Sequence, residues 1–360
     1  MSELKTNKIS TNDQNNVAID NALGLKSYTT AQRDALTSVA GDMIYNSDDA
    51  KVQVYSGSAW EDLGGVATAS ISYLVIGGGG AGAGSQNQEQ GQGGGGAGGY
   101  LNSYSTETSG GNQSTLEPIT VLADGTTTYQ VTVGAGGAKV SANVGNNGNP
   151  SQFHSAIAQA GGRGGHYLSG ISMLGGSGGG TARYVTSNSS YYLRYPAFIV
   201  TGLGTQGSQG GEGNTSGYGG GGGGAGGNGS NASGSTGGAG GAGLASSITG
   251  TSVTRAGGGG GGTNGTGGSG GGGAGGNSGT DGTVNTGSGG GGSGAVTNTP
   301  KSGGSGGSGI VILRWATADA TIGATRTGLT DGGVQTDGSD SYIVFTEGTG
   351  TITFSWYNRR

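Results

Sequence analysis

The chain has 360 residues, of which 94 are glycine, 4 are proline and none is cysteine; 30% are apolar and the formal net charge is −5. Glycine at about a quarter of the chain, against a norm near 7%, leaves too little Leu, Ile, Phe and Met for two ordinary cores. No basic cluster marks a nucleic-acid footprint, no apolar run of about 18 residues could span a membrane, and a chain without cysteine makes no disulfide or thiolate metal site.

In chain order, the polar start Met1-Ser2-Glu3-Leu4-Lys5-Thr6 is not expected to act as a secretory signal, because it lacks an apolar centre. Thr29-Thr30-Ala31-Gln32 has the spacing of a capping box, and Ala31, Ala35, Leu36 and Val39 form one apolar stripe. A helix is therefore expected from residue 30 towards Gly41, where glycine can end it. Met43-Ile44-Tyr45 and Val52-Gln53-Val54-Tyr55 predict short strands, with turns at residues 46–49 and 56–58, before Ala59-Trp60-Glu61-Asp62-Leu63. Residues 1–66 thus form a small helix plus β-hairpin module.

From residue 67 the pattern changes. Ile71-Ser72-Tyr73-Leu74-Val75-Ile76 reads as a buried strand and runs into Gly77-Gly78-Gly79-Gly80. Ile310-Val311-Ile312-Leu313-Arg314-Trp315 mirrors it after another glycine run. Between them lie the glycine runs 93–96, 178–180, 219–224, 257–262 and 270–273, joined by Asn-, Ser- and Thr-rich connections. A β-type insert, residues 118–133, interrupts early. In residues 316–360, Tyr342-Ile343-Val344-Phe345 and Thr351-Ile352-Thr353-Phe354 flank Gly348-Thr349-Gly350 and read as a hairpin that caps the domain or adds a separate sheet.

Ordering a glycine costs about 0.5–1 kcal/mol more than ordering an alanine, so these runs are either disordered or held by a cooperative lattice that uses every backbone group. Collagen is excluded by the missing Gly-X-Y period and prolines. The lattice reading is a polyglycine II helical bundle, with all-glycine runs such as 219–224 inside. Segments such as Gly237-Gly238-Ala239-Gly240-Gly241-Ala242 would lie at the edge, with a small residue on the free side. The expected fold is mainly irregular and β: a polyglycine II bundle at 67–315 with flanking β-strands, the module at 1–66 and a C-terminal β region at 316–360.

Two resemblances follow from these motifs. The helix, hairpin and final Trp60 of residues 28–60 resemble a connector module of phage tail-fibre and virion proteins, which implies attachment to other tail or fibre proteins and an oligomer, often a trimer. Strand, glycine tetrad, Gly99-Tyr100, Thr132-Val133-Gly134-Ala135-Gly136-Gly137, residues 145–153 and Gly309-Ile310-Val311-Ile312-Leu313-Arg314-Trp315 resemble the glycine-rich domain of phage tail fibres and adhesins. That resemblance implies a non-enzymatic virion protein, without cofactor, acting at the host cell exterior. Its connecting loops would bind a host glycan or outer-membrane protein, with no nucleic acid and no membrane insertion. A purely structural connector or decoration protein is the alternative.

The chemical motifs are weak. Residues 73–82 match strand plus GxGxxG, but neither the helix nor the ribose-binding acid of a dinucleotide site follows. Residues 134–139 resemble a phosphate loop but carry Ala138 and Val140 where glycine and Ser/Thr are required. Two histidines, His154 and His166, make a triad or a histidine zinc site improbable, and the scattered Glu107, Glu117, Asp124, Glu212 and Asp281 offer no evident glycosidase pair. Asp48 with Asp49, and Asp337 with Asp340, suit turn chemistry better than calcium. Residues 181–201 stand out, with Arg183, Tyr184, Tyr191, Tyr192, Arg194, Tyr195 and Phe198 amid glycine. Tyr and Arg anchor interfaces, so these residues contact either a receptor or the protein's own sheet or sister subunit. His166 with Tyr167, Tyr100 with Leu101, and Tyr218 are weaker candidates.

Overall fold

A computed structural model describes residues 24–63, 67–86, 91–166, 175–182, 199–200, 204–294 and 299–356. The chain divides into two compact units, Met1–Val66 and Ala67–Arg360.

In the first unit Thr29 caps α1 (Thr30–Asp34) through the reciprocal box: its hydroxyl accepts from Gln32 N, and Gln32 Oε1 accepts from Thr29 N. The helix stops at Asp34, well short of Gly41, and Val39 is 67% exposed. The stripe has no partner for its last turn, so the helix extends only as far as its cap and Arg33 hold it. Strands β1 (Ser27–Tyr28), β2 (Met43–Asn46), β3 (Lys51–Tyr55) and β4 (Trp60–Asp62) form a sheet in that order, with β1 parallel to β2. Its centre is polar: the buried Asn46 donates to Gln53 Oε1 and Asp49 Oδ2, and Gln53 donates to Asp62. Such a node rigidifies the unit because each buried amide finds its partners.

The second unit is built on one sheet. Its strands are β5 (Thr68–Ile76), β6 (Tyr100–Asn102), β7 (Ile119–Leu122), β8 (Asp124–Val133), β9 (Ser151–Phe153) and β10 (Ala156–Ala158). After the small pairs β11 (Ile199–Val200) with β12 (Gly204–Thr205) and β13 (Leu244–Ser246) with β14 (Val253–Arg255) come β15 (Ile310–Ala316), β16 (Ala320–Ile322), β17 (Leu329–Asp331), β18 (Gln335–Asp337) and β19 (Asp340–Trp356). The main order is β10-β9-β8-β19-β15-β5-β6, with β16, β17 and β18 also on β19 and β7 on β5. The two bookend strands pair directly, Ile310 opposite Ile76. The sheet curls until β10 lies beside β5 and β6. Alternate residues divide its faces: Tyr73, Val75, Val311, Leu313, Phe345 and Phe354 fill the inside of the curl, while Leu74, Ile76, Tyr100, Ile310 and Ile312 face the glycine region and meet Ala97, Ala225, Ile248 and Ala256 there.

The C-terminal hairpin expected from the sequence is instead one strand. β19 runs straight through Gly348-Thr349-Gly350, pairing its first half with β15 and its second with β8. Gly348 takes φ +101°, and a side chain there would strike the carbonyl of Gly328, so this glycine admits the close approach of β17 rather than making a turn.

The polyglycine II helical bundle is likewise corrected. The regular structure is nearly all β, and the only α-helix among the described residues is the five-residue α1. The glycine runs carry neither helix nor strand. They are extended segments whose hydrogen bonds, as in a sheet, join parts of the chain far apart in sequence. Unlike a sheet strand, each interior segment is bonded on more than two sides. Segment 91–99 donates in rotation to segments 217–223, 287–293 and 159–165, and it accepts from segments 77–83, 259–262 and 177–180. Segments 77–84, 219–226, 256–262 and 287–293 are surrounded in the same way. At most of these glycines an added Cβ would land on a neighbouring backbone carbonyl; at Gly95 it meets Gly80, at Gly222 it meets Gly95, and at Gly259 it meets Gly290. The region is a slab of backbone that continues from the strand ends and meets one face of the sheet at Ala97, Ala225 and Ala256.

Candidate functional site

The slab has two ends. Segment 77–84 continues β5 and segment 91–99 leads into β6, so residues 84–86 and Gly91 lie at the end remote from the sheet. By the same register the connections at 140–143, 213–218, 232–236, 263–264 and 276–278, with residues 294 and 299–301, gather at that remote end. They are tied to one another as a crown. Ser85 bridges Lys301 and donates to Gly294 O, Gln86 donates to Ala142 O, and Ser141 and Ser302 share a 2.6 Å hydroxyl bond. Gly91 N reaches Gly217 O, Asn214 Nδ2 reaches Gly234 O, and Gly237 N reaches Thr263 O.

Local sequence explains the crown. Where the outermost segments run out of neighbours, side chains replace the missing backbone partner: Arg163 N donates to Asn147 Oδ1, Gln209 N to Asn228 Oδ1, Glu212 N to Asn231 Oδ1 and Ser305 N to Asp281 Oδ1. The turns need left-handed backbone at Ala142, Gly217, Gly234, Thr263 and Asn264, which explains the Asn- and Gly-rich connections. Exposed Asn, Ser, Thr and Gln side chains dominate, with few charges such as Lys139 and Asp281, 3.9 Å apart. The crown can therefore donate and accept hydrogen bonds over a broad neutral surface.

Of the residues expected to bind a receptor, Tyr167, Arg183, Tyr184, Tyr191, Tyr192, Arg194 and Tyr195 lie outside the described residues, as does Phe198. His166 closes segment 159–166 and is buried. The described flanks of the aromatic stretch lie at opposite ends of the slab: Thr181 is at the remote end, bonded to Gly211 O, whereas Gln206 O takes the N–H of Tyr100 beside the sheet. Among the weaker candidates, Tyr100 and Leu101 belong to the core, and Tyr218 is half-buried in a turn whose N–H meets Asn214 Oδ1. The acid pairs are engaged in caps, hydrogen bonds and ion pairs. Asp48 takes Thr30 N, Asp49 takes Asn46, and Asp337 and Asp340 both pair with Arg314 at 2.9 Å.

Sequence reading missed the joint between sheet and slab. Arg314, buried in the apolar β15, also donates to Ile248 O and lies 5.1 Å from the Tyr104 ring, so one guanidinium pins the β13–β14 hairpin, the β18–β19 turn and the Tyr104 loop. The signal was available, because a charge inside an apolar strand must be paired. Burial pushes the Glu107 carboxyl up, but hydrogen bonds from Ser246, Ser247 and Asn102 outweigh it and hold the net value below the usual range. Burial raises Tyr100 and lowers Arg255 beside it. An open groove of about 450 Å³ runs between the end of β8, Val284, Asn285, Ser308, Thr346 and Glu347, with a mixed apolar and polar lining.

Comparison with known proteins agrees with the composition. A family model described as a glycine-rich domain matches residues 56–316, from the first unit's last turn to the end of β15. The match covers more than half of the chain, which therefore belongs to that family. No curated protein matches the chain.

Proposed function

We propose that this member of the glycine-rich domain family is a bacteriophage tail-fibre or adhesin protein, non-enzymatic, that presents its connecting loops to a receptor on the host surface. The observation that carries the reading is the division of labour in the second unit. A backbone lattice that admits few side chains, most of them small, fixes the segments, and exposed polar chemistry is collected in the crown at their remote end. Recognition residues concentrate on loops positioned by a rigid scaffold, and this scaffold cannot carry chemistry anywhere else in its interior. The sequence adds the Arg- and Tyr-rich residues 183–195, whose types suit anchoring. The first unit, compact on its own, serves as the attachment module in this reading.

The test is binding of the purified chain to a panel of bacterial cells and to glycans and outer-membrane proteins extracted from them. Saturable binding to one host is expected, and a Tyr191→Ala, Tyr192→Ala, Arg194→Ala variant of unchanged thermal stability should lose it. Incorporation into virions without binding to any host would instead favour the structural connector.

A further inference from the structure

The first unit carries a half-buried aromatic pair beside an ion pair. Trp60 and Tyr55 occupy paired positions on β4 and β3, with ring centroids 5.4 Å apart and planes tilted by 55°. Together with Arg33, Asp34 and Ser58 they line an open cleft of about 390 Å³, within the roughly 300–1,000 Å³ of ordinary ligand sites. A second hollow of about 250 Å³ adjoins it across Leu36 and Trp60 and adds Lys26 and Asp42.

The polar groups are set in place. Arg33, 16% exposed, donates Nε to Asp34 Oδ1 at 2.8 Å and Nη1 to Gln53 Oε1 at 3.0 Å, so its guanidinium is fixed by the interior of the unit. Asp34 is 58% exposed and uses only Oδ1 in that pairing, which leaves Oδ2 turned to other donors. Lys26 and Arg33 balance Asp34 and Asp42, so the two hollows carry no net charge and favour a neutral ligand. An amphipathic ring pair beside a preorganised carboxylate–guanidinium edge suits a molecule with one C–H face and a rim of hydroxyls.

We propose that the Trp60–Tyr55 cleft binds a neutral pyranose unit of a glycan, the sugar's C–H face on the two rings and its vicinal hydroxyls on Asp34 and Arg33. The site is separate from the crown, and the inference does not depend on the crown's function.

Saturation-transfer NMR on the full chain, with the methyl glycosides of glucose, galactose, N-acetylglucosamine and rhamnose as probes, tests it. Transfer to the ring protons of at least one glycoside is expected, abolished by Trp60→Ala and retained by Trp60→Phe. Asp34→Ala, at an exposed position with no part in the core, should weaken the apparent Kd roughly tenfold or more, the effect of losing one good polar anchor. This second variant decides the matter even if Trp60→Ala fails to fold. No transfer with the intact chain, or transfer unchanged in Asp34→Ala and a folded Trp60→Ala, overturns the proposal. So does transfer lost in Tyr191→Ala but kept in Asp34→Ala, which would assign the sugar to the aromatic stretch of residues 183–195 instead.

Discussion

The curled sheet and the glycine slab of the second unit are held by opposite means. Inside the curl, Phe153, Phe345 and Phe354 are wholly buried among Val131, Val311, Leu313 and Ile343, and stability comes from apolar area removed from water. In the slab the buried groups are peptide units, and most of their N–H groups are answered by a carbonyl of another segment. A side-chain core tolerates changes of shape if volume is kept. A backbone core has no rotamers to adjust, so a single methyl on the wrong carbon must move the chain itself. Where the lattice leaves a gap it does accept a methyl, and Ala81, Ala97 and Ala225 are fully buried.

The sharpest way to break this comparison is Gly95→Ala. Its Cβ would land on the carbonyl of Gly80 between two fully surrounded segments. The loss should exceed the roughly 1–3 kcal/mol of ordinary overpacking, and slab amides should lose hydrogen-exchange protection together. Gly227→Ala, where the nearest atom is 3.4 Å from the new Cβ, is the control and should stay within about 0.5 kcal/mol. Equal effects at the two glycines would refute the lattice argument.

Next in size, Phe354→Ala should cost about 3–5 kcal/mol through the cavity it leaves among Tyr129, Trp315 and the inner face of the curl, measured by denaturant unfolding. Arg314→Met keeps the apolar volume but leaves Asp337 and Asp340 unpaired. Because those carboxylates are 45% and 32% exposed, solvent screens the loss to about 1–2 kcal/mol. The signature should be local, with faster exchange in the β13–β14 hairpin than in β5.

The smallest effect is on pH. Glu107 titrates below its usual range when folded, so its contribution is complete above the unfolded value near 4.3 and is lost as pH falls through the folded one. The hairpin amide of Ser247, bonded to Glu107 Oε1 at 2.7 Å, should therefore exchange faster in acid, and Glu107→Gln should flatten that dependence. An unchanged acid response in the variant would show that Glu107 does not clasp the hairpin.

The capping box at Thr29, strands β2 and β3, and the bookend strands β5 and β15 were legible in the sequence because each is set by a local pattern: a side chain three residues from its backbone partner, or a continuous apolar run. The length of α1 was not, since Val39 repeats correctly but is left exposed. Nor was β19, whose Gly348-Thr349-Gly350 has the composition of a turn and is kept extended by strands on both edges. The joint residues Tyr104, Glu107 and Arg314 come from distant segments, and no spacing announces their meeting.

By itself the sequence determined that apolar burial could not hold most of this chain, so that its 94 glycines were either disordered or held by bare backbone. Only the tertiary structure decided how. It set the glycine runs as extended, mutually bonded segments running on from a β-sheet rather than as a bundle of helices, and it gathered connections at one end. The physical reason is that a glycine has no side chain to encode a partner: its amide accepts any carbonyl in reach, and which one it meets is fixed by the strands that aim the segments.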